Sequence, residues 1–242
     1  MEVHHSHHPT HKKKWSEYII EFVMLFTAVT LGFFAENIRE HLAEENKTKE
    51  LLHVVAKDLR SDLDQMKMLK QMEAEKIKLA DSLKTILNSN PKNVDQSDYY
   101  RIIMNFASFY VLNPNDKSII DAESKGYFFK EENKDLAYLI KQYNFYLKDY
   151  MQSDKLFSEQ ANRFVNVIIP QITDPEIIDK IWRLPSPPLE NKLGIKPIKE
   201  DAKIQAKFFL SISKGFMDGY MSDIDSMTLY ANKAINLIDN SK

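Results

Sequence analysis

The chain has 242 residues, a formal net charge of −2 and no cysteine. A near-neutral balance gives no global basic field, so we expect no nucleic-acid partner. The absence of cysteine excludes disulfides, thiolate metal sites and a cysteine nucleophile. Five glycines are too few for a strand-and-turn protein, whereas 14 Phe, 11 Tyr and 10 Met supply the bulk that a helical core needs.

Residues 1–14 are predicted to form a cytoplasmic tail rich in histidine and lysine. Clustered imidazoles can bind Zn, Ni or Cu. The candidate metal ligands are His4, His5, His7, His8 and His11. No carboxylate or thiolate cluster accompanies them to fix a geometry, so we predict a polar tail without a bound metal and no cofactor for the chain.

Residues 15–36 are predicted to form a transmembrane signal-anchor helix in the lipid bilayer. No charged residue occurs from Phe22 to Ala35. Helical residues 16–35 would cover the roughly 30 Å of a bilayer's hydrocarbon core. The residues that follow, Glu36 to Glu40, do not resemble a small-residue cleavage site, which favours an uncleaved anchor over a signal peptide.

The charges beside the anchor indicate its orientation. Lys12, Lys13 and Lys14 abut the apolar run and favour a cytoplasmic N-terminus. Basic residues beyond the anchor are nearly as numerous, but glutamates surround them. We therefore predict a single-pass protein of the bacterial inner membrane with a periplasmic C-terminal domain.

Three residues of the anchor are candidates for a specific role. Glu21 is the ionisable group inside the apolar stretch, so it is a candidate membrane carboxylate for a proton or ion relay. The alternative is a glutamate near the interface that reaches headgroups or Lys14. Ala28 and Gly32 have the small-xxx-small spacing that lets two membrane helices approach closely.

Residues 37–242 are predicted to form an all-α extramembrane domain whose first helix continues the membrane helix to about Asn88. Its apolar stripe drifts from a strict heptad, which favours packing into a bundle over an extended coiled coil. The stripe consists of Leu52, Val55, Leu59, Leu63, Met66, Ile77, Ala80, Leu83 and Leu87. The intervening charged residues, including Glu73 and Glu75, are interpreted as a solvated face.

Further helices follow in chain order, and no segment has the period-two alternation of a strand. Ser97 is predicted to cap a second helix, and Gly126 to end a short one after residue 124. Asn133 is predicted to cap a long helix that ends or kinks at Pro170. Asp174-Pro175 starts a short helix, a Pro-rich connector occupies 184–198, and helical residues 199–239 are predicted to break near Gly215 and Gly219. We expect two long helices and a C-terminal helical pair to form the bundle, with shorter helices over one end.

No catalytic motif is present in the sequence. It lacks the phosphate-binding loop Gly-x4-Gly-Lys-Ser/Thr, the nucleophile elbow Gly-x-Ser-x-Gly and the zinc motif His-Glu-x2-His. His41 and His53 are about 120° apart around one predicted helix, so we expect both at the surface. We predict a non-enzymatic protein and name no catalytic or cofactor-binding residue.

Several short motifs together resemble a known family. They are Lys14-Trp15-x2-Tyr18-Ile19-Ile20-Glu21, Glu36-Asn37-x-Arg39-Glu40, Leu59-x3-Leu63, Ala122 to Phe129, and Asn133-x-Asp135-Leu136-x3-Ile140-x2-Tyr143. This pattern resembles an uncharacterised family of single-pass membrane proteins, with a domain of unknown function, from Bacteroidota-type bacteria. The resemblance covers residues 12–170 and implies the topology but no catalytic residues. The chain departs from the pattern in having Lys125 between Ser124 and Gly126.

Three functional hypotheses follow. The first is a scaffold that tethers an unknown protein partner, or a second copy of itself, at the membrane; it should expose an apolar groove or patch. The second is an accessory subunit of an ion-driven or transport complex that uses Glu21. The third is a ligand-sensing periplasmic domain, which requires a pocket with convergent polar groups.

Overall fold

The computed structural model describes residues 14–90, 94–106, 108, 110–182 and 197–241, and within these ranges it contains helices and no β-strand. The predicted all-α class is confirmed. The helices are α1 (Trp15–Asn88), α2 (Gln96–Phe106), α3 (Lys117–Ser124), α4 (Lys134–Arg163), α5 (Ile169–Ile172), α6 (Pro175–Trp182) and α7 (Glu200–Asn240). Two 3-10 turns precede α4, and a π-helical turn, Phe164–Ile168, follows it.

The chain divides into two compact units, Met1–Leu51 and Leu52–Lys242. The described part of the first unit belongs to α1. Its apolar window has a mean hydropathy of 2.0 and none of its residues is buried, so by length and composition it is a candidate membrane span. Large apolar side chains such as Phe33, which is 74% exposed, face outward along it.

The second unit is a bundle of three long helices. Ion pairs between Arg60 and Asp239 (2.6 Å) and between Asp81 and Lys214 (3.2 Å) show that α1 and α7 run antiparallel. Each of these half-exposed pairs contributes about 0–1 kcal/mol, so they record the register more than they stabilise it.

Aromatic contacts set the register of α4. The rings of Tyr150 and Tyr220 are 5.2 Å apart, and those of Phe164 and Phe209 are 4.4 Å apart. These pairs show that α4 and α7 are antiparallel. Helices α1 and α4, both antiparallel to α7, are therefore parallel to each other, and the Tyr143–Asp62 hydrogen bond fits that register.

The buried face of α1 has a regular heptad spacing, which corrects the predicted drift. Its buried residues alternate in steps of three and four: Leu52, Val55, Leu59, Asp62, Met66, Leu69, Glu73, Lys76, Ala80, Leu83 and Leu87, with Ala56 beside them. The apolar stripe looked irregular in the sequence because Asp62, Glu73 and Lys76 occupy buried positions of this repeat. The predicted packing into a bundle holds, because α4 and α7 cover this face.

Because α1 and α4 are parallel, the segment that connects them has to run back along the bundle from the end of α1 to the start of α4. Near the start of this segment the Tyr99 hydroxyl donates to the Ile172 carbonyl (2.5 Å). Further along the segment the backbone N–H of Asn115 donates to Asp62 (3.0 Å). The connecting segment that carries α2 therefore runs along the bundle, whereas the shorter helices were predicted to lie over one end. Asp95, not Ser97, caps α2, because its carboxylate accepts the backbone N–H of Asp98 (3.1 Å).

The predicted boundaries of the later helices are largely confirmed. Helix α3 ends before Gly126, whose φ of 72° is the left-handed conformation that a helix C-terminus favours. Pro170 follows the π-helical turn, which accommodates its missing N–H, so the disruption is local. The side chain of Asn133 donates to the Tyr127 carbonyl (3.0 Å) and makes no cap for α4. The predicted connector at 184–198 lies outside the described residues except for 197 and 198.

The C-terminal region is one helix of 41 residues, so the predicted helical pair is wrong. Gly215 and Gly219 do not break it. A Cβ added at either glycine would meet nothing within 4 Å, so neither marks a close helix contact.

Candidate functional site

The three candidate residues of the predicted anchor belong to the candidate membrane span. Glu21, Ala28 and Gly32 all lie on the exposed N-terminal part of α1. A Cβ built on Gly32 would have nothing within 4 Å, so this surface is open to another helix. His41 and His53 are exposed as expected.

The tail histidines lie outside the described residues. Among the residues that are described, no group of three or more His, Asp or Glu side chains is arranged to hold a metal ion.

Asp62 forms a fully buried polar clasp in the bundle. One carboxylate oxygen accepts the backbone N–H (3.0 Å) and the side-chain amide (2.9 Å) of Asn115, and the other accepts the Tyr143 hydroxyl (2.7 Å). Burial, and then the nearby Asp62 carboxylate, raise the pKa of Tyr143, so this hydroxyl remains a donor. The clasp ties the segment before α3 to both α1 and α4, and we interpret it as structural.

A second polar cluster in the core is less well satisfied. The Lys76 ammonium lies 3.4 Å from Glu73 Oε1, and the two side chains are 6% and 5% exposed. Glu73 Oε2 is buried and accepts no hydrogen bond within the described part of the chain. An ionised carboxylate with one unsatisfied oxygen is costly in a low-dielectric core.

The two carboxyl groups of this cluster have raised pKa values. Burial raises the pKa of Glu73, and Asp154 on α4 raises it further, while Lys76 opposes both effects. Burial likewise raises the pKa of Asp154, again opposed by Lys76. We call Glu73, Lys76 and Asp154 the ion cluster. One ammonium thus faces two carboxyl groups that both favour protonation more than exposed carboxyls do.

Two buried tyrosines complete the surroundings of the ion cluster. Burial is the main cause of the raised pKa values of Tyr150 and Tyr220, and Asp154 contributes to both. The Tyr220 hydroxyl donates to the Ser153 carbonyl (3.0 Å). Both phenols therefore remain neutral at physiological pH.

A surface groove of about 390 Å³ extends from Lys76. We call it the Lys76 groove; its walls come from α1, from α2 and from Tyr110. The lining residues are Met68, Gln71, Met72, Glu75, Lys76, Leu79, Arg101, Asn105 and Tyr110. The Lys76 ammonium lies 5.8 Å from the centre of the Tyr110 ring. The volume is within the range of small-molecule sites.

Helix α7 carries an exposed apolar strip. We define the α7 strip as Ile204, Phe208, Ile212 and Phe216, which recur at intervals of four, so that successive members lie about 40° apart around the helix; the first three are exposed and Phe216 is half-buried. Phe208 is 67% exposed and Ile204 57%. Ile212 lines two surface depressions, one of about 120 Å³ bordered by residues of α4 and one of about 370 Å³ that includes Gly215 and Gly219.

Sequence reasoning missed Glu73 and Lys76. Glu75 was interpreted correctly as solvated, but Glu73 was assigned to the same face and is buried. The signal that identifies them is the heptad frame, since 66, 69, 73, 76, 80 and 83 continue one repeat.

Comparison of the chain with protein-family models, curated proteins and solved structures finds no match. The fold and its sites define a class: a helical-bundle protein with a candidate membrane span, a buried ion cluster and an exposed apolar strip.

Proposed function

We propose that the chain is a non-enzymatic scaffold of the bacterial inner membrane that tethers a partner protein through its helical domain. In this proposal residues 15–36 are an uncleaved signal anchor, residues 1–14 are cytoplasmic and the bundle is periplasmic. The proposal also places the chain in the family of Bacteroidota-type single-pass proteins that its sequence motifs resemble.

The α7 strip is the observation that carries the proposal. Isolated exposed apolar residues are ordinary, but a contiguous strip with adjoining depressions is typical of an interaction surface. Lys203 and Lys207 border it, and Arg163 contributes to one of the depressions. The partner that suits this surface is therefore an apolar segment flanked by acidic side chains, such as an amphipathic helix.

The chain offers a matched pair of residues to test this role. Phe208 is exposed, whereas the adjacent Phe209 is 7% exposed and packs against Phe106, Phe157 and Phe164. Because the chain has no native cysteine, one cysteine introduced at Ile204 gives a single cross-linking position on the strip.

The experiment is cross-linking in native membranes with the full-length chain, followed by mild-detergent purification and mass determination. A distinct protein attached at Ile204→Cys, and lost when Phe208→Ala is added, supports the scaffold. Matched cysteines at Lys67 and Glu131, which are exposed on other elements, are the controls. Equal capture from all three positions, or capture that is unaffected by Phe208→Ala, contradicts the proposed surface.

A ligand-sensing role is a second candidate, because the Lys76 groove brings polar and charged groups together beside apolar ones. Lys76, Arg101, Gln71 and Asn105 offer charge and hydrogen bonds, and methionines supply adaptable apolar walls. This role is compatible with the scaffold, since the groove and the α7 strip use different residues.

A further inference from the structure

We propose that the Lys76 groove binds a small organic anion with an apolar body, such as an alkyl carboxylate, sulfonate or phosphate monoester. The inference rests on the ligand-sensing role and names its ligand class. The anionic group lies beside Lys76 and Arg101, and the hydrocarbon part lies against Met68, Met72 and Leu79.

The charges of the groove favour an anion. Lys76 and Arg101 are its cationic groups, and Glu75 is its carboxylate. Glu75 is exposed and lies 3.2 Å from the Lys78 ammonium, so its charge is partly balanced by a residue outside the groove. Arg101 is balanced in turn by Asp98 at 2.9 Å, and both side chains are more than half exposed. Solvent screens these outer charges strongly and the buried ammonium weakly.

Lys76 is the residue that distinguishes this groove from an ordinary surface depression. It is 4% exposed, yet it contributes to the groove wall beneath the ring of Tyr110. A charged group in a desolvated position interacts more strongly with a ligand than an exposed one does. Its ammonium lies 3.4 Å from Glu73 Oε1, and an incoming anion competes with this contact.

Proton uptake accompanies this competition. An anion that pairs with Lys76 weakens the interaction between this ammonium and ionised Glu73. The pKa of Glu73 therefore rises when the anion binds, and the buried carboxyl group takes up a proton more readily. Asp154 on α4 acts in the same direction, because burial raises its pKa too. The other titratable groups around the cluster, Tyr150 on α4 and Tyr220 on α7, stay neutral because burial raises their pKa values. Binding should therefore tighten as the pH falls below neutrality.

The test uses the full-length chain in lipid nanodiscs with 13C-labelled methionine methyl groups. Met68 and Met72 report on the groove, while Met217 and Met227, which are buried in α7, are internal references. The probes are hexanesulfonate, which keeps its charge at all relevant pH values, hexyltrimethylammonium with the opposite charge, hexanol without charge, and sulfate without an apolar body. We expect saturable shifts of the Met68 and Met72 signals with hexanesulfonate and weaker or no shifts with the other three.

Exposed residues provide variants that leave the fold intact. Arg101→Gln should weaken hexanesulfonate binding, and Glu75→Gln should strengthen it, whereas Lys67→Gln on an exposed part of α1 should have no effect.

Variants of the buried pair test the role of Lys76 itself. Glu73→Gln mimics the protonated acid, so it should tighten hexanesulfonate binding at neutral pH and reduce the pH dependence of that binding. The double variant Glu73→Gln/Lys76→Met removes both charges of the pair and should weaken binding by about tenfold or more relative to Glu73→Gln.

The outcomes separate the ligand class from the role. If hexanol or hexyltrimethylammonium moves the Met68 and Met72 signals as strongly as hexanesulfonate, the groove binds ligands but the anionic class is wrong. If none of the four probes moves them, the ligand class and the sensing role both fail. Binding that is equal in Glu73→Gln and the Lys76 double variant would overturn the assignment of Lys76.

Discussion

The Asp62–Tyr143 hydrogen bond permits a quantitative test of the fold. Tyr143→Phe removes a buried hydroxyl that donates to a carboxylate at 2.7 Å and changes little else. A hydrogen bond to a charged group contributes about 1.5–3 kcal/mol, so the free energy of unfolding should fall by that amount. Tyr138→Phe is the control, because Tyr138 is 55% exposed on the same helix and its change should stay within about 0.5 kcal/mol.

A double-mutant cycle assigns the loss to this bond. Asp62→Ala removes the acceptor of four hydrogen bonds, which come from Gln65, Asn115 and Tyr143, and should cost about 3–5 kcal/mol, because buried donors are left unpaired. In that background Tyr143→Phe should cost little. Urea unfolding of the full chain in a mild detergent, followed by circular dichroism, gives the required values. A Tyr143→Phe cost below about 0.5 kcal/mol, or one that persists unchanged in the Asp62→Ala background, would refute the clasp as drawn.

Three further changes test the core by the same unfolding assay. A raised folded-state pKa means that the folded chain binds the Glu73 proton more tightly than the unfolded chain does. The resulting stability is fully present when the pH is below the unfolded-state pKa, and it is lost as the pH rises through the folded-state pKa. Glu73→Gln should therefore raise stability at neutral pH and reduce its pH dependence; an unchanged pH profile would contradict the burial of this carboxyl. Replacing Glu73 and Lys76 together by leucine should be neutral or stabilising by about 1–4 kcal/mol while it abolishes hexanesulfonate binding, and strong destabilisation would instead indicate a structural ion pair. Phe209→Ala should cost about 3–5 kcal/mol and Phe208→Ala less than about 1 kcal/mol; similar costs would show that the α7 register is wrong.

The sequence was sufficient for the class of the fold and for most helix boundaries. Helix periodicity identified α1, α4 and α7, and proline and glycine marked the ends near Pro175 and Gly126, because these residues restrict or free the backbone locally. The predicted break at Gly215 and Gly219 was wrong. A glycine costs a helix about 1 kcal/mol, which the packed face of α7 offsets with residues such as Met217 and Tyr220.

The site was harder to predict because it depends on contacts between distant residues. Tyr150 and Asp154 are more than 70 residues from Glu73 in the sequence, and only the parallel packing of α1 and α4 brings them together. Local composition placed Glu73 among ordinary surface glutamates. The α7 strip was visible as apolar residues, but which of them would be buried depends on the rotation of α7 against α4.

The ion cluster requires an explanation beyond stability. Burial raises the pKa values of its two carboxyl groups despite the neighbouring ammonium. At neutral pH the fold is therefore less stable with this cluster than it would be with apolar residues of similar size. Asp62 shows that this fold can satisfy a buried carboxylate fully, with donors from α4 and from the segment before α3. Glu73 is not satisfied in that way, although it too occupies a buried position of the same heptad repeat. The unsatisfied carboxyl group of Glu73 lies next to Lys76 and the groove, where ligand binding can change its protonation. An incompletely satisfied cluster is therefore expected of a binding site and is unfavourable as a structural clamp.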